Sequence, residues 1–342
     1  MATEGSRERG ETVSVESWPK AGEPDKGLYR ALMKRRSARA FIDREIPESL
    51  IEQMVDVAAN APSGGNMQPL SIILVRSIEK RKELARLTGD QPWVRNAPAS
   101  MIFCLDFYRI KKWAEMCQTE FRGEVAVNHF LIGYADVMVA AQSVAILAES
   151  FGLSSVYIGT VLHEIDKVRD FFKIPRFVLP VMVLSIGYAK SLPRNIPKLK
   201  RSAILHEEEY QTPRPCEIRQ VFDEKYGSID EAAEKYLERA FIEAVEHDKQ
   251  AETSLVEHVK EEMKRLDIRN NAQFLFKVRY PAHVMVRMNR NLIQSFKNAG
   301  FEMFDVNREE EEKGARGGAE GSAESTGPLM FPEGASRPGK GG

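Results

Sequence analysis

The chain lacks the residue patterns on which several classes of protein depend. Its 342 residues include only three cysteines, which are odd in number and widely spaced, so they form neither a disulfide framework nor a metal-ligand pattern. The six histidines are equally scattered, without a short spacing such as His-Glu-x-x-His. No Gly-x-Gly-x-x-Gly opens a first βα turn, and no Ser-His-Asp or Cys-His signature occurs. The sequence therefore predicts no structural metal, no doubly wound nucleotide fold and no protein nucleophile.

Long apolar runs and an excess of charge of one sign are also missing. The 49 basic residues are balanced by 50 acidic ones, so nucleic acid is not the expected partner. No run of about 18 apolar residues occurs; the most apolar stretch is Val137 to Leu147. The N-terminus is polar and has no hydrophobic signal region. These features predict a soluble, cytoplasmic protein without a membrane or nucleic-acid partner.

Hydrophobic periodicity divides the rest of the chain into alternating helices and strands. Such alternation favours helices packed in layers on a sheet. The segment 128–151 is apolar almost all round and must be buried, either by the chain's own sheet or by a second subunit. Helices are predicted over 27–33, 47–58, 79–87, 128–151, 164–172, 229–246, 252–266 and 283–298, and strands over 70–75, 100–105, 156–158 and 178–186.

The first candidate site is the run Arg35-Arg36-Ser37-Ala38-Arg39, which gathers three guanidinium groups and a hydroxyl at the end of a predicted helix. Arginine offers a planar fork of donors that stays charged at any working pH, and it suits phosphate or the polar edge of a heteroaromatic ring. The alternative is an ordinary solvated basic helix end, where cations also suit the helix dipole.

The second candidate site is the loop Ala61–Pro69, between a predicted helix and a predicted strand. Gly64 and Gly65 let the main chain approach a ligand closely, and amide and hydroxyl side chains in the loop can hydrogen-bond along a planar ring. The alternative is a plain Pro-Gly turn.

Two further segments give weaker signals. In Ser155–Thr160 a glycine, Gly159, leaves a strand and can expose backbone N–H groups to a flat ligand. The run Lys198-Leu199-Lys200-Arg201 is a cationic cluster suited to phosphate, although such lysines are usually ordinary surface residues.

In this order, the four segments resemble the FMN-dependent nitroreductase and flavin reductase family, most closely the larger, NADPH-preferring branch of bacterial oxygen-insensitive nitroreductases. Arg35–Arg39 resembles the family's opening Arg-Ser-x-Arg signature, and Ala61–Pro69 its Ala-Pro-Ser-x-x-Asn-x-Gln-Pro loop. Gly89–Val94, which leads into Phe103–Phe107, is similar to the branch's Gly-Gln segment before a Phe-Cys-Ala-Asp strand end.

The extent of the resemblance and the composition together divide the chain into four predicted segments. Residues 1–26 are polar and too poor in apolar side chains to bury a core, which predicts a disordered leader. The resemblance is strong over 27–212, the predicted FMN-binding core, and resumes weakly at 282–304, inside a predicted helical extension over 213–305. Residues 306–342 are rich in Gly and Glu without periodicity, which predicts a disordered tail.

The resemblance implies an α+β fold: a three-layer α/β/α sandwich with a mixed, largely antiparallel sheet, in a homodimer whose second subunit supplies some cofactor contacts. It implies FMN as cofactor and NADPH or NADH as electron donor. Hydride would pass from NAD(P)H through flavin N5 to an electron-poor small molecule, a nitroaromatic, quinone or flavin, in a ping-pong cycle. Two alternatives are a flavin-binding scaffold with nicotinamide-independent or flavin-remodelling chemistry, and an interaction module built on a vestigial flavin core.

The resemblance also implies residue roles. Arg35 and Arg36, with the lysines of the fourth segment, would hold the FMN phosphate. Arg39 would stabilise the negative charge at flavin N1 and O2 on reduction, and the backbone of Gly159 and Thr160 would lie near N5. The catalytic candidates are therefore Arg39, Gly159 and Thr160. The complete predicted cofactor-binding set is Arg35, Arg36, Ser37, Arg39, Pro62, Ser63, Gly64, Asn66, Gln68, Gln91, Tyr157, Ile158, Gly159, Thr160, Lys198, Lys200 and Arg201.

The chain departs from the branch at three places. Thr160 and Leu162 stand where the branch has a second glycine and then an arginine, so a contact to the NADPH phosphate is in doubt. The branch's Lys-Pro-Arg motif is here Lys198-Leu199-Lys200, in which a point charge replaces a fork of donors. A helical insertion over about 228–266 exceeds what the branch carries. The choice between NADPH and NADH therefore stays open.

Overall fold

The computed structural model describes residues 26–191, 197–230, 257 and 260–304. The described residues up to Met303 belong to one compact unit, and a second unit begins at Phe304. The predicted leader up to residue 25, the tail, the predicted helix 229–246 beyond Asp230 and most of 252–259 lie outside the described residues. Residues 260–265, at the end of the predicted helix 252–266, are helical.

The predicted strands and the remaining predicted helices are all present, with ends shifted by at most two residues. Among the described residues, α4 (Pro92–Asn96), α5 (Tyr108–Met116) and α8 (Pro215–Tyr226) were not predicted, and neither was a short helical segment over 271–279. Because α4 and α5 bury one residue each and α8 buries none, they have no apolar stripe for periodicity to detect. The helices are α1 (Lys26–Lys34), α2 (Glu48–Ala59), α3 (Ile78–Leu87), α4 (Pro92–Asn96), α5 (Tyr108–Met116), α6 (Val127–Ser150), α7 (Ile165–Phe172), α8 (Pro215–Tyr226) and α9 (Ala282–Asn298), and the strands are β1 (Leu70–Val75), β2 (Ala99–Asp106), β3 (Ser154–Ile158) and β4 (Val178–Gly187).

The four strands form one sheet in the order β1-β2-β4-β3, so β1 and β3 are its two edges. Every strand pair is antiparallel. Within the described residues, the parallel component that we predicted is a single isolated bridge between Ser37 and Ser155. Pro180 lies inside β4 at a register shift opposite Phe103 and Cys104. A bulge tolerates a proline there because the ladder is already interrupted.

Alternating residues of β2 face two separate layers of helices. Met101, Phe103 and Leu105 pack in a core shared with α2, α6 and α9, whereas Ile102 and Cys104 pack in a second core with α3, α4 and α7. Helices on both faces of an antiparallel sheet make the three-layer α/β/α arrangement that the resemblance implied.

Helix α6 lies across one face of the sheet. Its inner side is buried against the strands, so the chain's own sheet buries part of this apolar helix. Its outer side keeps Leu131, Ile132 and Val139 exposed at 58%, 43% and 42%. The helix is long and apolar enough to cross a membrane by length and composition alone, a test that a core helix also passes. Packing against the sheet accounts for the buried side but not for the outer one.

Candidate cofactor site

The arginine segment is held at the edge of the sheet by backbone pairing. After α1 ends, Ser37 forms its bridge to Ser155 of β3, and the Ala38 amide donates to the Ser155 carbonyl at 3.1 Å. The Arg36 guanidinium donates through Nη1 to the carbonyls of Met33 and Arg35, both at 2.9 Å. The end of α1 and the edge strand β3 therefore present the basic side chains together.

Arg35 is the most informative of these side chains. Its Nη1 atom is buried and has no hydrogen-bond partner, and the same is true of Oε1 of Glu149 near the end of α6. Burial raises the pKa of the Glu149 carboxyl, although the positive charges of Arg35 and Arg36 act in the opposite direction. A buried guanidinium N–H without an acceptor is costly. The arrangement therefore fits an anion such as the phosphate of FMN.

Arg39 and the turn after β3 lie in the same region. The guanidinium carbon of Arg39 is 5.6 Å from the centre of the Trp93 ring, within the range of a cation–π interaction. Gln91 Nε2 donates to Thr160 Oγ1 at 2.7 Å. A Cβ added to Gly159 would meet nothing within 4 Å, so the turn leaves open space in which a flat ring can lie against the backbone.

Two residues of the predicted set on β3 have different environments. Ile158 is buried in the core with α3, α4 and α7. The Tyr157 hydroxyl donates to Oε1 of Gln142 at 2.9 Å. Burial raises the pKa of Tyr157 to about 12, so the phenol stays protonated at any working pH.

The loop that contains Ser63 and Gly64 is tied to Asp136 of α6. Ser63 Oγ donates to Asp136 Oδ2 at 2.8 Å and accepts from the Gln68 amide at 2.9 Å. The Gly64 amide donates to the same carboxylate at 3.1 Å. The proton of the Ser63 hydroxyl is therefore already engaged, and this residue can meet a ligand only as an acceptor.

The backbone angles of this loop and its close approach to α6 explain several of its residue types. Asn66 and Gln68 adopt positive φ angles of 53° and 50°. Asparagine tolerates this region better than most residues. A Cβ at Gly64 would come within 2.6 Å of Ile132 Cγ2, so the loop approaches α6 too closely for a side chain. Gln68 Nε2 donates to the Ala59 carbonyl at 2.6 Å, and Pro62 is exposed.

A cavity of about 470 Å³ lies beside this loop, along the open edge of the sheet. Its wall is largely apolar, with contributions from α2, β1, α5 and α6. Polar groups reach it from Ser63, Gln68, Arg109 and Asp136.

The fourth segment lies on the surface. Lys198, Lys200 and Arg201 are exposed, and Lys200 Nζ forms an ion pair with Glu224 of α8 at 2.9 Å. Its hydrogen bond to Lys200 lowers the pKa of the Glu224 carboxyl. The phosphate-binding role of this segment stays a prediction.

Apart from the exposed segment 198–201, the predicted site residues fall into two groups within one chain. The first contains the arginine segment, Gln91 and the Gly159–Thr160 turn, and the second contains the loop tied to Asp136. Asp136 and Glu149 mark the two groups on α6 and are thirteen residues apart, which corresponds to about 20 Å along the helix axis. One chain therefore does not bring the Ser63 loop to the arginine segment.

Sequence reasoning missed Asp136, Glu149 and Trp93. A signal for the first two was present, because they are the only acidic residues of α6 and an apolar helix rarely carries a charge without a partner. Trp93 gave no such signal, since its role depends on where Arg39 is placed.

Comparison with known proteins shows which family this chain belongs to. A family model described as the Nitroreductase family matches residues 32–188. An FMN reductase (NADPH) of Bacillus subtilis is 35% identical over 181 residues, which cover 52% of this chain and 72% of the relative. An oxygen-insensitive NADPH nitroreductase of Salmonella typhimurium is 31% identical over 208 residues, with coverage of 61% and 82%. The chain therefore belongs to the nitroreductase family.

Solved structures agree with this assignment. A nitroreductase structure from B. subtilis matches with a TM-score of 0.58 at 30% identity, covering 68% of this chain and 97% of that one. The predicted family and the predicted α+β fold are thus confirmed.

Proposed function

We propose that this chain is an FMN-dependent oxidoreductase that takes hydride from NAD(P)H and reduces an electron-poor small molecule. Bound FMN would supply the redox chemistry by accepting hydride at N5 and then passing two electrons on. The observation that carries the proposal is the buried, unpartnered Nη1 atom of Arg35 beside Arg36, in a member of this family. Relatives named FMN reductase (NADPH) and FMN reductase [NAD(P)H], at 35% and 31% identity, support both the cofactor and the donor.

The residues of the first group divide into holding and tuning roles. Arg35 and Arg36 would bind the phosphate through charge-assisted hydrogen bonds. Arg39, held over the Trp93 ring, would place its charge at the pyrimidine edge and stabilise negative charge there. The backbone of Gly159 would approach the ring, because the space beside it is open. None of these roles requires a protein nucleophile.

A second copy of the chain would complete the site. The outer side of α6 exposes Leu131, Ile132 and Val139, an apolar strip that is unusual on a solvent-facing helix. If two α6 helices pack antiparallel about a two-fold axis, the Asp136 region of one copy meets the Glu149 region of the other. The Ser63 loop of each subunit would then join the arginine segment of its partner.

The acceptor, donor and location remain as the resemblance implied. A nitroaromatic, a quinone or free flavin would serve as acceptor, and NADPH or NADH as donor. The relative named oxygen-insensitive NADPH nitroreductase supports this class of acceptor. We place the enzyme in the cytoplasm as part of the same proposal.

The decisive experiment is anaerobic mixing of the purified protein with each nicotinamide. Protein from flavin-sufficient cells is expected to be yellow, and NADPH or NADH should bleach the absorbance of oxidised flavin. Colourless protein would contradict FMN binding, and yellow protein that neither donor bleaches would contradict the nicotinamide-linked reaction.

The dimer has its own test. Leu131→Asp places a charge on the outer side of α6 and is expected to lower both the mass measured by light scattering and the affinity for FMN. Met116→Asp is the matched control, because Met116 is 81% exposed on α5. A Leu131→Asp protein that stays dimeric and retains FMN would contradict this arrangement.

A further inference from the structure

Two hydrogen bonds converge on the carbonyl of Thr88, and a third joins the two side chains that donate them. Thr160 Oγ1 donates to the Thr88 oxygen at 2.6 Å, and Gln91 Nε2 donates to the same oxygen at 2.7 Å. Gln91 Nε2 also donates to Thr160 Oγ1 at 2.7 Å. Because a carbonyl oxygen has two lone pairs and an amide nitrogen two hydrogens, the Thr88 acceptor and the Gln91 donor are both fully used.

The position of Thr88 explains why these bonds matter. Thr88 is the C-terminal cap of α3 and is completely buried. The last carbonyls of a helix have no donor within the helix and lie at the negative end of its dipole. The Thr88 hydroxyl donates backwards to the Leu84 carbonyl at 2.8 Å, whereas the Thr88 carbonyl, at the helix end, needs donors from outside the helix. Gln91 and Thr160 provide them.

Thr160 follows Gly159 directly in the turn after β3. Glycine at 160 would follow Gly159 directly and give the turn two residues of high conformational freedom without a side chain to restrain them. The hydroxyl of Thr160 instead ties the turn to the end of α3. We infer that Thr160 is a positioning residue, which fixes the backbone of the Gly159–Thr160 turn where it would face the flavin of the proposed function.

The same hydrogen bonds connect the turn to Arg39. Gln91 is the N-terminal cap of α4, and α4 carries Trp93, over whose ring the Arg39 guanidinium lies. The hydrogen bond between Gln91 and Thr160 therefore fixes the position of the Gly159–Thr160 turn relative to the Arg39 guanidinium. It also limits Gln91, which can offer a ligand only its Oε1 acceptor.

Three substitutions at one position test the inference. Thr160→Val keeps the shape but removes the hydroxyl, Thr160→Gly removes the whole side chain, and Thr160→Ser keeps the hydroxyl. In FMN-free protein, amide hydrogen exchange over residues 158–161 should be roughly tenfold faster in Thr160→Val and Thr160→Gly, and within about twofold of the original in Thr160→Ser. Thr119→Val, at an exposed position, is the matched control and should leave this exchange unchanged.

A second measurement uses the flavin-loaded protein and rests on the proposed function. At saturating NAD(P)H, Thr160→Val is expected to slow anaerobic flavin reduction about tenfold, with KM changed less than about twofold, because positioning acts on the rate and not on donor binding. Thr160→Ser should recover the rate. If Thr160 served only local stability, Thr160→Val would lower the melting temperature but would not slow flavin reduction at an almost unchanged KM.

Each outcome decides something. Exchange in Thr160→Val equal to that of the original protein overturns the inference, as does a Thr160→Ser variant that behaves like Thr160→Val. Failure of both nicotinamides to reduce the flavin contradicts the proposed function, while the exchange experiment still decides the role of Thr160. If Thr160→Val does not fold, Gln91→Leu removes the Gln91 bonds to Thr160 and to the Thr88 carbonyl, and exchange over residues 158–161 should again be faster. Exchange in Gln91→Leu equal to that of the original protein then overturns the inference.

Discussion

Replacing Asp136 by alanine removes the group that holds the loop containing Ser63 and Gly64 against α6. The two carboxylate oxygens accept hydrogen bonds from the Ser63 hydroxyl at 2.8 Å and from the Gly64 amide at 3.1 and 3.2 Å. Ser63 in turn accepts from the Gln68 amide, so the loss should spread through the loop. Because alanine has no acceptor, the Ser63 hydroxyl and the Gly64 amide would bond to water instead.

The size of the effect follows from the burial of each bond. The partly buried, charge-assisted bond of Ser63 contributes about 1.5 kcal/mol, and the exposed bond of Gly64 about 0.5 kcal/mol. Alanine recovers about 0.5 kcal/mol of helix propensity relative to aspartate. Hydrogen bonding therefore outweighs propensity, and Asp136→Ala should cost about 1.5 kcal/mol. For a domain of this size, that lowers the melting temperature by roughly 3–6 °C.

Calorimetry of FMN-free protein checks this value, and flavin titration checks its consequence. Asp136→Ala should bind FMN more weakly because the loop is no longer held, whereas Asp136→Asn keeps one acceptor oxygen and should lose about half as much stability. Asp56→Ala, the same change at an exposed position on α2, is the control and should stay within about 0.5 kcal/mol. Equal melting temperatures for Asp136→Ala and Asp56→Ala would refute the anchoring role.

Three further outcomes are expected. Arg39→Ala should slow flavin reduction by NAD(P)H about tenfold to a hundredfold in stopped-flow, with less effect on FMN retention; Arg39→Lys, which keeps the charge, should recover part of the rate, and equal losses in both would contradict the electrostatic role. Burial raises the pKa of the Glu149 carboxyl, so its contribution to stability is present at low pH and is lost as pH rises through that pKa. Glu149→Gln should therefore raise the melting temperature of FMN-free protein near pH 7 but not near pH 4, and a gain that is the same at both would be inconsistent with this cause. A thiol reagent should modify the exposed Cys117 and Cys216 in native protein but Cys104, which is buried with a raised pKa, only after unfolding; rapid reaction of all three would contradict the burial of Cys104.

The strands were predictable because their signal is local. Apolar runs such as 70–75 and 100–105 are recognisable from their own residues, and the structure reproduces their bounds to within one residue. Helices α4 and α8 escaped prediction because they contribute almost nothing to the core. Periodicity detects burial, and helices that bury little leave little trace in the sequence.

The candidate site was predictable to a different extent. The order of the arginine segment, the Ser63 loop and the Gly159 turn was enough to predict the family, which the comparisons confirm. The partners of those residues were not predictable. Thr88, Asp136 and Trp93 act through contacts between elements far apart in sequence, and only the folded chain brings them together.

The sequence by itself determined the strands, the main helices and the residue types of the site, because these depend on local spacing and side-chain chemistry. Only the tertiary structure decided how the site is divided. The strand order β1-β2-β4-β3 places β1 and β3 at opposite edges, and the length of α6 separates Asp136 from Glu149 by about 20 Å. Strand order and helix packing arise from contacts between distant parts of the chain, so no local pattern shows how far apart one chain holds the two groups of candidate residues.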